Sequence, residues 1–483
     1  MTPIVKIAGK AAWRFFQPLS FMRPNEGAKF LGGWDAWRLA NATNAGLVVD
    51  GDRARLSDKD SFRHLVLVAP AGAGKTTRFI VPNVLQLENC SMVITDPSGE
   101  IWEQTSGSLR ERGFDVKVLD LADPSMSVGY NPMAKVTSPV HSMELAKVLV
   151  ASSNGTPGKD DAKVWTQGAE NLIDVMVQTL CSPDYSAAHP EHRNLHNVLH
   201  LIQNFGEDGR HLDRFIINHG PDTAHRMWTG IMSGHTNMTR SFAGTVTAAL
   251  SMLGVPALAS ALSRDELDFH SLRRRKTALF IVAPSNKIES YSFVLNILHT
   301  QLFSALMERR PGKADLPVYV LADEFGHSAI PDFDSIITTI RKYRVSISMV
   351  LQAVSQLTRR YGANATATIL EGGAGTKLVY GGADVVTTAW VEKMAGKMKF
   401  REYDEAGPTR HREENLINAD RIRTLADDQA VMLFANKEPM LLRTTPWFEN
   451  PRLARLTKLP PWNPAATRPP QGLSFVDLAP YRR

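Results

Sequence analysis

The 483-residue sequence has little cysteine and no long apolar run. The first absence argues against a secreted protein, and the second argues against a membrane-spanning one. Its two cysteines, Cys90 and Cys181, are far apart and lack the spacing of metal ligands. A secreted chain of this length would more often carry disulfides, so we expect a reducing, intracellular setting. No apolar stretch reaches the roughly 18 to 20 residues that a membrane-spanning helix needs, so the sequence predicts a cytoplasmic chain without a transmembrane segment.

The composition also lacks the extremes that mark fibrous or disordered chains. Hydrophobic residues make up 43% and charged residues 22%, which is typical of a globular protein. The length allows two or three domains. A net charge of +6 admits a polyanionic or membrane-surface partner, although an ordinary cationic surface explains the charge equally well.

Short runs rich in Val, Ile and Leu recur along the chain and predict strands. Such continuous apolarity is typical of strands that are covered on both faces, so the predicted fold class is α/β, with a mostly parallel sheet between helices. The last two runs are separated by residues 436–438 and predict a hairpin at the sheet edge. The runs lie at 64–69, 91–96, 116–121, 277–283, 317–323, 346–352, 376–382, 430–435 and 439–444.

The strand signal stops between about residues 138 and 270, where apolar residues recur at helical spacing. We interpret this stretch as an all-α domain inserted into the α/β domain, because a structureless loop of that length is rare. The predicted organisation is an N-terminal segment at 1–60, the α/β domain at 61–137 and 271–446, the all-α domain at 138–270, and a proline-rich, extended or disordered tail at 447–483.

A phosphate-binding motif follows the first predicted strand, in the octet "APAGAGKT" from Ala69 to Thr76. The P-loop pattern places glycine at the first position, and Ala69 suffices there if its φ stays negative. Lys75 would bind the β- and γ-phosphates of ATP, and the Thr76 hydroxyl would coordinate Mg²⁺. The backbone amides expected to bind phosphate are those of Ala71, Gly72, Ala73, Gly74, Lys75, Thr76 and Thr77. A glycine-rich turn with an incidental lysine is disfavoured, because a strand and a helix flank the motif.

Three further groups fit the hydrolysis of a nucleotide. Asp323 and Glu324 end the strand "VYVLA", where Asp323 would hold Mg²⁺ and Glu324 would polarise the attacking water. Gln352 ends the next predicted strand and is placed to sense the γ-phosphate. Arg341, on the intervening helix, is our candidate for an arginine finger that reaches a neighbouring subunit, although a solvated helix face is an equal alternative.

These motifs together resemble the conjugative coupling-protein family of type IV secretion (TraG/TraD-like), which is related to the FtsK and HerA DNA translocases. The resemblance runs in order from about residue 60 to 446, through "APAGAGKTTRFIVPNVL", "LADEFGHSAIPDFDSIITTIRKYRVSISMVLQAVSQL" and "NADRIRTLADDQAVMLFANKEPM". It implies a RecA-like ATPase that forms a hexameric ring at the cytoplasmic face of the inner membrane. It also implies delivery of relaxase-bound single-stranded DNA, or of effector proteins, to the secretion channel. The site residues that it implies are Lys75, Thr76, Asp323, Glu324, Arg341 and Gln352.

The sequence departs from the family pattern in two places. Asp96 and Glu100 match a second acidic motif, but Ser98 stands where a lysine is usual, so any charge-dependent contact there is in doubt. Typical members also carry a pair of N-terminal transmembrane helices. Their absence would fit either a naturally soluble variant that a membrane partner recruits or a truncated form.

Nucleic-acid binding would be salt-dependent and indifferent to sequence, since no base-reading motif is visible. The candidate phosphate contacts are the basic stretches at 273–276, 359–360 and 410–423, although a solvated face is the favoured interpretation of each stretch alone. His192, His196 and His200 recur at helical spacing, but no carboxylate or cysteine completes a metal site, so packing is the favoured interpretation.

Two other functions stay open at this point. One is a docking receptor for substrate proteins, in which the ATPase serves only assembly and the helical insertion and tail recognise cargo. The other is a small-molecule kinase, which Glu324 and the size of the insertion disfavour.

Overall fold

The computed structural model describes residues 26–123, 127–153, 161–206, 209–234, 236–284, 287–327, 329–404, 407–462 and 472–481. The strands of this part of the chain form two sheets. Their bounds are β1 (Glu26–Gly27), β2 (Leu65–Val68), β3 (Ser91–Asp96), β4 (Asp115–Asp120), β5 (Thr277–Val282), β6 (Val318–Ala322), β7 (Val345–Leu351), β8 (Thr376–Tyr380), β9 (Lys397–Asp404), β10 (Gly407–Asn415), β11 (Gln429–Phe434) and β12 (Met440–Arg443).

The larger sheet has nine strands in the order β12-β11-β8-β2-β7-β6-β3-β5-β4. Every pairing from β8 to β4 is parallel, whereas β11 pairs antiparallel with both β8 and β12. Each predicted strand is present, and the hairpin predicted at the edge joins β11 to β12. The predicted sheet is therefore confirmed.

Helices cover both faces of this sheet and build the inserted domain. No helix of the described residues is both long enough and apolar enough to cross a bilayer. The helices are α1 (Gly33–Leu39), α2 (Asp58–Ser61), α3 (Val81–Gln86), α4 (Glu100–Glu111), α5 (Pro139–Ser153), α6 (Asp161–Leu180), α7 (Pro183–Ala188), α8 (Leu195–Gln203), α9 (Arg210–His219), α10 (Asp222–Met232), α11 (Thr236–Ala249), α12 (Pro256–Ala261), α13 (Ile288–Met307), α14 (Phe333–Thr339), α15 (Ser355–Ala367), α16 (Val385–Ala395), α17 (Ala419–Arg423) and α18 (Pro451–Leu456).

The alternation of side chains along each strand divides the core into two clusters, one on each face of the sheet. Val66 and Val68 of β2 point into a cluster that runs on into the helical domain, whereas Leu65 and Leu67 point into the other. Because both faces are buried, the strands read as continuous apolar runs. This is why the sheet could be predicted from short apolar segments alone.

The helical domain leaves and rejoins the sheet at its edge. The outermost strand is β4, its neighbour is β5, and helices α5 to α12 lie between them in sequence. No strand occurs between β4 and β5 in the part of that stretch which the structure describes. An insertion at the sheet edge disturbs no interior strand pairing, so the nine-stranded sheet remains continuous.

A second sheet of three strands, β1-β9-β10, was not predicted. Strands β9 and β10 form an antiparallel hairpin, and β1 pairs with its outer edge at Glu26 and Gly27. The sequence of this hairpin, "KMKFREYDEAGPTRHREEN", is rich in charged residues and lacks the apolar alternation of a half-buried strand. The hairpin also accounts for part of the basic stretch at 410–423.

Within the proline-rich stretch that was predicted to be extended or disordered, the structure describes residues 447–462 and 472–481. Residues 472–481 lie against the helical domain, where Val476 and Leu478 are buried. The Asn197 side chain binds this segment twice, accepting from the Val476 amide at 2.9 Å and donating to the Ser474 carbonyl at 2.9 Å. Further upstream, the Trp462 amide donates to the Ser106 hydroxyl of α4. Apolar anchors and paired amides thus fix a segment that has little regular structure of its own.

One residue of the basic stretch at 273–276 has a structural role. Arg273 is buried, and its guanidinium donates to four backbone carbonyls. These belong to Leu316, just before β6, to Tyr343 and Arg344, just before β7, and to Leu306, near the end of α13. Its neighbour Arg274 is exposed and pairs with Asp268 at 3.1 Å. Arg273 is therefore unavailable to a phosphate, whereas Arg274 faces solvent.

We predict that Arg273→Met lowers the free energy of unfolding by at least about 3 kcal/mol, because several buried carbonyls lose a charged donor. Arg274→Met is the matched control and should change it by less than about 1 kcal/mol, as for other exposed ion pairs. Urea unfolding followed by circular dichroism measures both. Equal losses in the two variants would contradict the assignment.

Candidate nucleotide-binding site

Four adjacent parallel strands, β2, β7, β6 and β3, end at the same edge of the sheet. The phosphate-loop motif follows β2, Gln352 follows β7, Asp323 and Glu324 follow β6, and Asp96 ends β3. Ligands of open α/β sheets bind outside the carboxyl ends of the strands. The topology therefore brings the predicted groups to one edge, with β7 between the strands that carry the loop and the acidic pair.

The loop after β2 has the backbone of an anion-binding turn. Gly72 and Gly74 have φ values of 78° and 82°, a region that other residues rarely adopt. A Cβ on Gly74 would also lie 2.9 Å from Nε of Arg78. Ala69 does not have a positive φ, which is why alanine is tolerated at the first position of the motif. The loop opens onto a π-helical turn, Thr76–Ile80, whose amino end points at the site.

The Lys75 ammonium lies against the loop itself. It donates to the carbonyl oxygens of Ala69 at 3.1 Å and Pro70 at 3.2 Å, and its side chain is buried. The positive charge therefore lies beside the amides of the glycine turn. This is the position from which a lysine can reach phosphate oxygens bound by those amides.

Thr76 and Asp323, the two predicted magnesium ligands, are in direct contact. The Thr76 hydroxyl donates to Asp323 Oδ2 at 3.1 Å, although 247 residues separate them. Burial raises the pKa of Asp323, the negative charge of Glu324 adds to the rise, and the Thr76 hydrogen bond and the Lys75 charge oppose it. The buried carboxylate thus occurs where a cation would be most stabilising. Oxygen donors of this kind suit Mg²⁺.

Asp96 contributes a second buried carboxyl beside Asp323. Thr95 of β3 and Ala322 of β6 lie opposite each other on neighbouring strands, and Asp96 and Asp323 directly follow them in sequence. The Asp96 carboxyl accepts from the amides of Gly99 at 2.9 Å and Trp102 at 2.8 Å, so its orientation is fixed by the start of α4. Burial raises its pKa to about 6, against the lowering effect of these amides.

Glu324 and Gln352 also meet, as their positions at adjacent strand ends require. The Gln352 Nε2 donates to both carboxylate oxygens of Glu324, at 3.1 Å and 3.0 Å. Glu324 has a φ of 55°, an unfavourable conformation for a residue with a Cβ, and such outliers concentrate at functional sites. The strand end therefore turns the carboxylate towards Gln352.

Gln356, which the sequence reading missed, positions Gln352. Its Oε1 accepts from the Gln352 amide at 2.8 Å and from the Ala353 amide at 3.5 Å. A Cβ on Gly326 would lie 2.6 Å from the Gln356 side chain, so glycine is required opposite it. The only signal in the sequence was the spacing of four residues between two glutamines, which is common in ordinary helices.

Arg341 does not join this site within one chain. It lies on the short 3₁₀ turn Ile340–Tyr343 that precedes β7, at the sheet edge opposite Asp323, and it is exposed. Its charge acts instead on His64, just before β2. Burial lowers the pKa of His64 to about 3, and Arg341 adds to this effect. Only a contact with another subunit could make Arg341 a finger, so its role stays a prediction.

The three histidines at helical spacing are not brought together. His192 lies on a turn before α8 and hydrogen-bonds Tyr185 at 2.8 Å, whereas His200 contacts the Val476 carbonyl at 3.1 Å. His196 is buried with its Nε2 unpartnered.

Comparison with known proteins places the chain in a family. The family described as type IV secretory system conjugative DNA transfer matches residues 36–466. The chain belongs to this family. The VirD4 protein of Rhizobium radiobacter is 24% identical over 409 residues, which cover 81% of this chain and 58% of the relative. The conjugal transfer protein TraG of Rhizobium radiobacter is 22% identical over 308 residues, which cover 62% of this chain and 47% of the relative. The chain spans about three fifths of the VirD4 relatives that it matches.

Solved structures establish that the fold is the RecA-like one that the resemblance implied. The unbound bacterial conjugative coupling protein TrwBdeltaN70 superposes with a TM-score of 0.72 at 15% identity, covering 95% of this chain and 100% of that protein. The plasmid coupling protein TrwB in complex with ADP and Mg²⁺ gives 0.69 at 17% identity, covering 89% of this chain and 96% of that protein. At these identities the likeness concerns the fold. The predicted family and fold are both confirmed.

The raised pKa of Asp96 predicts a pH dependence. Its folded pKa of about 6 exceeds its ordinary value of 3.8, so the native state binds this proton more tightly than the unfolded state does. The group therefore lowers stability as pH rises from about 4 to 6, and the cost is complete above that range. Asp96→Asn cannot ionise. Relative to the wild type, it should lose about 2 kcal/mol of stability when pH falls from about 7.5 to 4.5.

Chemical unfolding of both proteins at the two pH values measures this difference, because the other titrating groups cancel. Glu100→Gln, a change of an exposed carboxylate in the same turn, is the control and should follow the wild type. A difference between Asp96→Asn and wild type that does not change with pH would rule out the raised pKa.

Proposed function

We propose that this chain is an ATPase that drives transfer of a substrate to a type IV secretion channel. The observation that carries the proposal is the hydrogen bond between Thr76 and Asp323, which joins the phosphate-loop helix to the acidic end of β6. Membership of the conjugative DNA transfer family supports the cellular role. A site of this construction serves hydrolysis of a nucleoside triphosphate, because it combines a phosphate turn, a lysine and paired carboxylates.

Binding of ATP would use the loop and its helix. The amides from Ala71 to Thr77 offer donors to the phosphate oxygens at a helix amino end. Lys75 would exchange the carbonyls of Ala69 and Pro70 for oxygens of the β- and γ-phosphates. Because the ammonium is already buried, it would act with little competition from water.

Cleavage would depend on Glu324 and Gln352. The Glu324 carboxylate can orient a water molecule at the γ-phosphate and accept its proton. The Gln352 amide holds this carboxylate in place and would sense the γ-phosphate, since it lies on the strand between the loop and the acidic pair. Gln356 would keep Gln352 in position.

The residues that would hold Mg²⁺ are Thr76 and Asp323, with Asp96 adjacent. When bound, the ion would neutralise charge on the phosphates during transfer. The Thr76 hydroxyl and the two buried carboxyls fit such an ion, since they are oxygen donors and a cation would stabilise the ionised form of carboxyls whose pKa values burial raises.

The larger role follows from the family. TraG and TrwB, to which this chain is similar, carry names that associate them with conjugal transfer and plasmid coupling. We propose that this chain acts as a homo-hexamer at the cytoplasmic face of the inner membrane. It would deliver relaxase-bound single-stranded DNA, or effector proteins, to secretion-channel components. Contacts with DNA would be to phosphates and without sequence specificity.

The first test measures ATP turnover with and without single-stranded DNA. We expect turnover to rise with DNA of any sequence and the DNA affinity to fall steeply with salt. Lys75→Ala should reduce turnover at least about 100-fold, because a preorganised charge at the phosphates is lost.

The controls separate the candidate functions. Oligonucleotides of unrelated sequence should stimulate equally. ATP turnover that is abolished by Lys75→Ala, but shows no stimulation by DNA and no salt-sensitive binding, would favour a docking receptor over a DNA translocase. Unchanged ATP turnover in Lys75→Ala would rule out the assignment of the nucleotide-binding site to this loop.

The second test concerns Arg341. If it acts on a neighbouring subunit, Arg341→Ala and Glu324→Gln should each be inactive, whereas a mixture should regain activity at interfaces that pair an intact Arg341 with an intact Glu324. Lys342→Ala is the control, since it removes an adjacent exposed cation. A mixture that shows no recovery would argue against a shared site.

A further inference from the structure

Outside the nucleotide site, three potential metal ligands meet on the helical domain. His189, Glu191 and His192 lie on the loop and turn between α7 and α8, with their ligand atoms within 4.8 Å of one another. Within the described part of the chain, they are the one group of three His, Cys, Asp or Glu side chains that meets this criterion. In the sequence, His192 recurs with His196 and His200 at helical spacing, without a carboxylate that would complete a metal site. The structure supplies a different histidine and a carboxylate.

Two of the three distances between ligand atoms are close to those around a tetrahedral ion. One carboxylate oxygen, Glu191 Oε1, lies 3.4 Å from His189 Nδ1 and 3.7 Å from His192 Nε2. A zinc ion with bonds of about 2.0–2.2 Å places its ligand atoms roughly 3.3–3.5 Å apart. The third pair, the ligand nitrogens of His189 and His192, lies within 4.8 Å, so binding an ion would require a modest approach of the two rings.

The orientation of His192 is fixed by a second residue. The hydroxyl of Tyr185, a buried residue of α7, lies 2.8 Å from Nδ1 of His192, so that Nε2 is directed towards Glu191 and the Ser474 hydroxyl. Metal-binding histidines usually hold their other ring nitrogen in this way. The rings of His189 and His192 are stacked, with their centroids 5.0 Å apart and an angle of 14° between their planes.

The three ligands differ in their exposure. The His192 side chain is 10% exposed. His189 and Glu191 are about half exposed, which leaves the site open to ions from solution.

The C-terminal segment passes directly beside the cluster. The Ser474 hydroxyl lies 3.4 Å from Nε2 of His192, the nitrogen that faces Glu191. From there the segment continues over Asn197 and His200 and ends with Tyr481 bonded to His219 at 2.7 Å. An ion at the cluster would therefore lie beside Ser474 of this segment.

We propose that His189 Nδ1, Glu191 Oε1 and His192 Nε2 form a site for a divalent transition metal of the zinc type, and that the bound ion fastens the C-terminal segment to the helical domain. Imidazole and carboxylate are ligands that Zn²⁺ accepts, and three protein ligands leave a fourth position for water or for Ser474. This site is separate from the nucleotide site and does not depend on the proposed ATPase activity.

The test is a titration of the full chain, stripped with a chelator, with Zn²⁺ in competition with a chromophoric chelator. We expect about one ion per chain with His₂Glu ligation. His189→Gln and Glu191→Gln should each weaken binding at least about tenfold. Both residues are exposed, so these variants should fold. His270→Gln is the matched control, since His270 lies 3.7 Å from Glu308 but without the second histidine.

Hydrogen exchange locates the ion and tests its consequence. Zn²⁺ should slow exchange of the amides in residues 472–478 of the wild type and leave them unchanged in Glu191→Gln. Equal zinc binding by wild type and His189→Gln, or an equal loss in His270→Gln, would overturn the site. Zinc binding that leaves the exchange of residues 472–478 unchanged would overturn the fastening role.

Discussion

The hydrogen bond from the Thr76 hydroxyl to the Asp323 carboxylate joins two motifs that the sequence keeps far apart. It can form because β2 and β6 are both parallel neighbours of β7 and end at the same edge of the sheet. The remaining groups of the site depend on the same constraint. Gln352 meets Glu324 because β7 lies between the two motifs, and Asp96 lies beside Asp323 because β3 is the next strand.

The site concentrates negative charge in a buried place, which costs stability unless a cation is near. Asp96 and Asp323 both have raised pKa values, and burial is the main cause for each. Glu324 adds a third carboxylate on a strained backbone. An arrangement of this kind is typical of a functional site, because the electrostatic and conformational costs are offset only when the ligand binds.

The helical domain is tied to the rest of the chain at more than one point. It leaves the sheet edge between β4 and β5, it shares a core cluster with one face of the sheet, and its surface carries residues 472–481. The end of the chain thus links the α/β domain, through contacts of Trp462 with α4, to the helical domain. Any substrate that binds the helical domain or the C-terminal segment would act on structures that are physically continuous with the nucleotide site.

The local sequence was enough for the large sheet, since strands buried on both faces are apolar throughout and need no partner to be recognised. It also located the glycine-rich loop and the acidic pair at strand ends, whose proposed roles depend on residue types at fixed spacing. The β9–β10 hairpin was missed, since its strands are charged and are stabilised by pairing with each other and with β1. Gln356 was missed because its role depends on a hydrogen bond from the Gln352 amide, which is visible only in the folded chain. The tertiary structure decided the order of the strands and the exposed position of Arg341 at the opposite edge of the sheet. It also decided the docking of residues 472–481 and the meeting of His189, Glu191 and His192. Each of these depends on contacts or chain reversals that no local pattern specifies.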